Sequence, residues 1–167
     1  DEDENEYYVA NRKPTKNVVL KAQWKDNTIV ARINSTYYDT IAKAINAAAT
    51  GDEIVLLTNR TENITINKEI TLNLDNHKLT GTITNNSNGI LTLLSGIVEY
   101  NNGTAVMNRG VLTVGSEDLK KNDGVEIKAS SGSGISGVSS SYGKVIFNNG
   151  KITATSSSTV YGIYGTD

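Results

Sequence analysis

From Glu53 onward the chain is written in short apolar runs too closely spaced for a helix to fit between them: "EIVLL", "NITI", "EITLNL", "GTIT", "ILTLL", "AVMN", "VLTVG", "VEIKA", "KVIF", "KITAT" and "VYGIYG". Polar clusters such as "NNSNG", "NNG" and "SSGSG" separate them. β-branched residues in alternation, bounded by Asn, Ser and Gly, read as strands and turns. Strands without room for crossover helices are either antiparallel neighbours or successive rungs of a coil that stacks on itself.

Internal similarity favours the second arrangement. "ILTLLSGIVEYNNGTAVMNRG" can be laid over "KVIFNNGKITATSSSTVYGIYG", bringing Gly96 onto Gly150, Thr104 onto Thr159 and Gly110 onto Gly165 at nearly one offset. With roughly 18–25 residues per coil, that offset spans two to three coils. In such a stack each inward Ile, Leu or Val rests on its equivalent about 4.8 Å away, and inward Asn or Ser can form hydrogen-bonded ladders. Ile64/Ile66, Ile70/Leu72/Leu74, Leu91/Leu93, Leu112/Val114, Val125/Ile127 and Val145/Phe147 supply the alternating apolar faces. The polar stretch Gly115–Gly124 reads as a loop extruded from one coil.

One helix precedes the strands. In "STYYDTIAKAINAAATG", Ile41, Ala44, Ile45 and Ala48 recur at helical spacing, Ser35 or Thr36 can cap the start, and Gly51 offers a left-handed stop. A helix over Tyr38–Ala49 would lie across the open end of the coil and cover its apolar interior and strand edges.

Residues 1–17 are polar, carry the acidic run Asp1–Glu4 and the chain's only proline, Pro14, and read as a linker. Val18 to Ile33, "VVLKAQWKDNTIVARI", alternates on both sides of "KDN" and suggests a small hairpin or two extended strands, with Trp24 in a buried structural role. The expected organisation is therefore a linker and the end of a small β module over 1–33, then one all-β domain over 34–167. That domain ends without a capping element and is expected to continue.

The chain of 167 residues has no cysteine, which removes disulfide frameworks, thiolate zinc sites and cysteine nucleophiles. A formal net charge of −2 provides no basic field for a phosphate backbone, so no nucleic-acid partner is expected. No window is apolar enough for a membrane-spanning helix.

"YYDTIAKAINAAATGDEIVLL" resembles the helix, Gly-Asp turn and first strand that open many right-handed parallel β-helix domains of the pectate-lyase-like superfamily. "NITINKEITLNLDNHKLTG" (Asn63–Gly81) is similar to the second- and third-coil motif of such domains in bacterial surface proteins. Upstream, "VVLKAQW" (Val18–Trp24) resembles the final strand of internalin-type B repeats (the Listeria–Bacteroides repeat). The resemblance implies an all-β fold, a right-handed parallel β-helix with a short N-terminal capping α-helix, in a bacterial cell-surface or secreted protein.

Polysaccharide lyases of that superfamily hold calcium with clustered carboxylates beside an Arg or Lys base. Here Asp75, Glu99, Asp123 and Glu126 stand singly, and the paired aspartates, Gly-His and Arg-x-Lys of the pectin hydrolases are missing. No catalytic residue, metal or cofactor is therefore expected. The runner-up is a lyase or hydrolase whose active residues lie outside this segment, and a third reading is a tailspike-like receptor-binding piece. His77, the only histidine, falls in the turn after "TLNLDN" and reads as structural. "DLKKNDG" lacks the alternation and terminal Glu of a calcium loop, and "SSGSGISGVSSSYG" has no following helix to hold a phosphate. Asn-x-Ser/Thr triplets begin at Asn34, Asn59, Asn63, Asn85 and Asn102, as chance allows in a chain this rich in Asn and Thr.

The remaining candidates are Tyr100, Tyr142, Tyr161 and Tyr164, because aromatic rings on a flat β face can stack on sugar rings or pack against a partner. The expected role is a non-catalytic stalk or ligand-contacting segment of an adhesin-like surface protein. It would be monomeric, with a host or matrix glycan or protein as partner.

Overall fold

The computed structural model describes residues 28–118, 124–131 and 135–166, apart from the side chain of Ile135. Trp24, the "KDN" turn, the linker and most of the Val18–Ile33 hairpin lie outside the described residues, as do the centre of the Gly115–Gly124 loop and part of the serine-glycine stretch.

The described chain begins with β1 (Ala31–Ile33), β2 (Thr36–Tyr38) and α1 (Ile41–Ala47). Strands then follow in threes. The first set is β3 (Glu53–Leu56), β4 (Arg60–Thr61) and β5 (Ile64–Ile66). The second is β6 (Glu69–Asn73), β7 (Lys78–Thr80) and β8 (Ile83–Asn85). The third is β9 (Ile90–Leu94), β10 (Gly96–Tyr100) and β11 (Val106–Asn108). The fourth is β12 (Val111–Val114), β13 (Val125–Ser131) and β14 (Ile135–Ser141). The last is β15 (Lys144–Phe147), β16 (Gly150–Ser156) and β17 (Val160–Thr166).

Every third strand joins the same sheet. Sheet A has seven strands in the order β15-β12-β9-β6-β3-β1-β2, sheet B has β16-β13-β10-β7-β4, and sheet C has β17-β14-β11-β8-β5. From β3 onward all the pairings in the three sheets are parallel. Among the described residues the chain is thus all-β with parallel sheets and one short helix, an arrangement compatible with a stacked coil. Parallel pairing repeats each residue type directly above its equivalent. The inward columns run Ile54, Leu72, Leu93, Val114, Phe147 in sheet A, Leu79, Val98, Ile127, Ile152 in sheet B and Ile64, Ile83, Val106, Val138, Ile163 in sheet C. Their middle members are fully buried. Each such Leu or Ile contributes about 1.5–3 kcal/mol by leaving water.

The Asn and Ser expected to ladder do so at the corner between sheets C and A. Asn85 Nδ2 donates to Asn108 Oδ1 at 2.7 Å and to Val111 O at 2.9 Å, and Asn108 Nδ2 donates to Ser140 Oγ at 3.1 Å and to Lys144 O at 3.1 Å. Below Asn85 in the same column stands Ile66, which offers no donor, and the buried Asn85 Oδ1 has no partner. The three corners that carry the ladder close on Gly89, Gly110 and Gly143. A Cβ on Gly110 would collide with the carbonyl oxygen of Gly89, so only glycine lets the corners stack this closely.

Several expectations are corrected. The helix starts at Ile41 rather than Tyr38, and its cap is Thr40, whose Oγ1 accepts from Lys43 N at 3.1 Å, rather than Ser35 or Thr36. The physical reason is local: Asn34, at φ 51°, turns the chain so that Thr36–Tyr38 pairs with Ala31–Ile33 as a hairpin, leaving those residues in a strand. β1 also pairs with β3, and Val30 and Ala31 are fully buried, so this hairpin crosses the 33/34 boundary drawn from sequence. The internal match holds at Gly96 and Gly150, which flank Val125 in one column, but Gly165 aligns with Asn108 rather than Gly110.

Helix α1 buries Ile41, Ala44 and Ile45 against the first rungs, covering that end as the amphipathic pattern implies. Both its ends are held from the first pass of the chain. Glu62 accepts from Ile41 N at 3.1 Å and Ala42 N at 2.9 Å, and Lys68 Nζ donates to Ala48 O at 2.8 Å and Asn46 O at 3.3 Å. A carboxylate at the N-terminus and an ammonium at the C-terminus complement the helix dipole and its unpaired backbone groups.

Candidate ligand-contact face

The three sheets divide the charge unequally. Sheet B displays Lys78, Glu99, Glu126, Lys128 and Lys151 on its outer side, joined as Lys78 Nζ–Glu99 Oε2 at 2.9 Å, Lys128 Nζ–Glu126 Oε2 at 3.0 Å and Lys151 Nζ–Glu126 Oε1 at 3.6 Å. The hydrogen bond from Lys128 holds the Glu126 carboxyl below the usual carboxylate range. Sheet A strands carry Arg32, Glu53, Glu69 and Lys144. The strands of sheet C, by contrast, contain no charged residue.

The outer column of sheet C reads Thr65, Thr84, Met107, Ser139, Tyr164 in register. Strict alternation would put Tyr161 and Tyr164, three residues apart, on opposite faces. The structure puts them together. A Cβ on Gly137 would run into Ile152 Cγ2, and one on Gly162 would lie 3.9 Å from the same atom, so both glycines face inward beside inward Val138 and Ile163. Two consecutive inward residues shift the alternation. The rings of Tyr161 and Tyr164 therefore meet on the outer side with centroids 5.0 Å apart and planes tilted by 45°. Tyr161 is 45 % exposed, Tyr164 41 % and Met107 44 %.

Tyr142 stands at the adjoining corner, one pass earlier than the pair, with its backbone N bonded to Thr166 O at 3.1 Å. Its φ of 59° is left-handed and its side chain is 84 % exposed. A residue with a Cβ pays about 1–2 kcal/mol for that conformation. Tyr100 is separate from the other three. It belongs to sheet B, shares a column with Ala129 and Ala154, and packs partly buried against the core.

His77 lies where the sequence places it, in the turn through Asp75 (φ 45°) and Asn76 (φ 64°), its backbone N bonded to Leu74 O at 2.7 Å. Among the described residues no three His, Cys, Asp or Glu side chains converge as a metal-binding group. A shallow pocket at the helix end is lined by Ile29, Tyr37, Tyr38, Asp39 and Lys43. There the Lys43 ammonium, 2.7 Å from Asp39 Oδ2, holds the Asp39 carboxyl below its ordinary value. Several of the Asn-x-Ser/Thr asparagines have structural duties: Asn59 Oδ1 accepts from Lys78 N at 2.8 Å, Asn63 Oδ1 accepts from Thr82 N at 2.9 Å, and Asn85 is the first rung of the buried ladder.

Among the described residues no helix is long and apolar enough to cross a membrane. No family model, curated protein or solved structure matches this chain.

Proposed function

We propose that the chain is a right-handed parallel β-helix of the pectate-lyase-like kind and serves as a non-catalytic segment of a bacterial cell-surface, adhesin-like protein. The observation that carries this reading is the registered stacking of three parallel sheets, every third strand joining the same one. Such a stack grows by repetition along one axis and presents long side faces, which suits a spacer or an extended contact surface. The step from this architecture to adhesion rests on resemblance to surface proteins, since one architecture hosts many functions.

Two measurements test the proposal together. Antibodies against the purified chain are expected to label intact cells of the source organism, and the chain is expected to release no reducing ends or unsaturated products from polygalacturonate. Labelling only after lysis, or product formation, would overturn it.

A further inference from the structure

We propose that the outer face of sheet C binds an uncharged polysaccharide chain laid along the stack, with Tyr161 and Tyr164 as the stacking platform and Met107, Ser139 and Thr84 as the track below it. The proposal rests on the surface-protein reading above and names the ligand class for one of its faces.

Between neighbouring strands of sheet C the backbone groups are paired, and only the outer edges of β5 and β17 have no strand neighbour among the described residues, so a ligand on the flat of the sheet is read through side chains. Those side chains are hydroxyls, a thioether and two phenol rings. Ring faces pack against the apolar C–H faces of sugars, and Ser, Thr and Tyr hydroxyls both donate and accept toward sugar hydroxyls. The absence of charge from all five strands sets the class. An acidic polymer would lose hydration here and gain no counter-charge from these strands, the exposed Arg109 standing just past the end of β11, whereas a neutral one loses little. The outer column is open and flat. It therefore suits an extended polymer making a series of weak contacts, spaced at about 4.8 Å per rung, better than a small molecule that requires an enclosing cavity.

The test is affinity electrophoresis of the whole chain through gels containing neutral polysaccharides (a mannan, a xyloglucan, a mixed-linkage β-glucan) or acidic ones (polygalacturonate, hyaluronate). Retardation is expected in at least one neutral gel and in neither acidic gel. Tyr161→Ala and Tyr164→Ala should each weaken it about 3- to 10-fold, the range for one lost aromatic contact. Tyr164→Phe should retain most of the binding, and Met107→Glu, at an exposed site, should abolish it with an unchanged circular dichroism spectrum. Tyr37→Ala, on sheet A, should change nothing. Retardation only by acidic polymers, retention that survives Tyr161→Ala, Tyr164→Ala and Met107→Glu, equal loss in Tyr37→Ala, or no retardation in any gel would overturn the proposal. Positive cell-surface labelling beside a negative gel would leave the surface role standing and remove only the glycan face.

Discussion

Ile64 and Ile163 occupy the two ends of one inward column in sheet C, yet the first is 2 % exposed and the second 44 %. The side chains are the same, and both strands are terminal in their sheet. The difference is α1, which packs over β5 and has no counterpart on β17 among the described residues. Sheet A repeats the lesson, with Leu93 fully buried in the middle of its column and Phe147 43 % exposed at the end. Burial in this chain is thus conferred by the rungs on either side more than by residue type, and a terminal rung is buried only where something else lies across it.

Truncating Leu93 and Phe147, a middle and a terminal member of the sheet A column, should have very different costs. Leu93→Ala should cost about 2–5 kcal/mol, while Phe147→Ala should cost under about half as much because its ring has already kept part of its contact with water. Urea unfolding of the two variants checks it, and equal losses would mean that the end rung is as well packed as the middle. A smaller effect, about 1–3 kcal/mol, is expected for Asn108→Leu, which removes the nearest acceptor of Asn85 Nδ2 and takes the Nδ2 donor from Ser140 Oγ and Lys144 O in a buried corner. Smaller again is Glu62→Gln, expected to cost about 0.5–1.5 kcal/mol by weakening the carboxylate that holds Ile41 N and Ala42 N. That loss should appear as faster amide exchange in α1 and the first rungs, with β15–β17 unchanged.

The smallest effect is in pH. Asp39 and Glu126 both have carboxyls held below the ordinary range by lysine partners, so their folded-state values lie under the unfolded ones. Their contribution is present above the unfolded value, about 4, and is lost as pH falls through the lowered folded values. Thermal melts should therefore decline slightly on acidification below about pH 4, and Lys43→Met with Lys128→Met should flatten that decline. Both pairs are exposed enough that salt should reduce the effect.

Much of this architecture can be read from residue order. The closely spaced alternating runs show the strands, the Ile41/Ala44/Ile45 spacing shows the helix, and inward Asn and Ser show the ladder. The missed features depend on contacts between distant residues or on a local break in period. The Glu62 clamp on α1 joins residues about twenty positions apart, which no local pattern reveals. The helix reads from Tyr38, with Ser35 or Thr36 as its cap, because the strand that pairs with Thr36–Tyr38 is only three residues long and gives little local signal. The Tyr161–Tyr164 pair was legible as two aromatic residues but not as one surface. Alternation separates them, and the sole hint was Gly162 between them, matching Gly137 one pass earlier.

The connection from Val114 to Val125 is far longer than the one from Leu94 to Gly96, yet β13 meets β10 in unbroken register, Gly96 on Val125 through Tyr100 on Ala129. Chain length is therefore free to drift at that bend in a way it cannot within a strand, where adding one residue would turn every following side chain inside out. A foreign peptide spliced between Val114 and Val125 should therefore leave the register of β13 on β10 unchanged, which makes this connection a port for grafting an epitope.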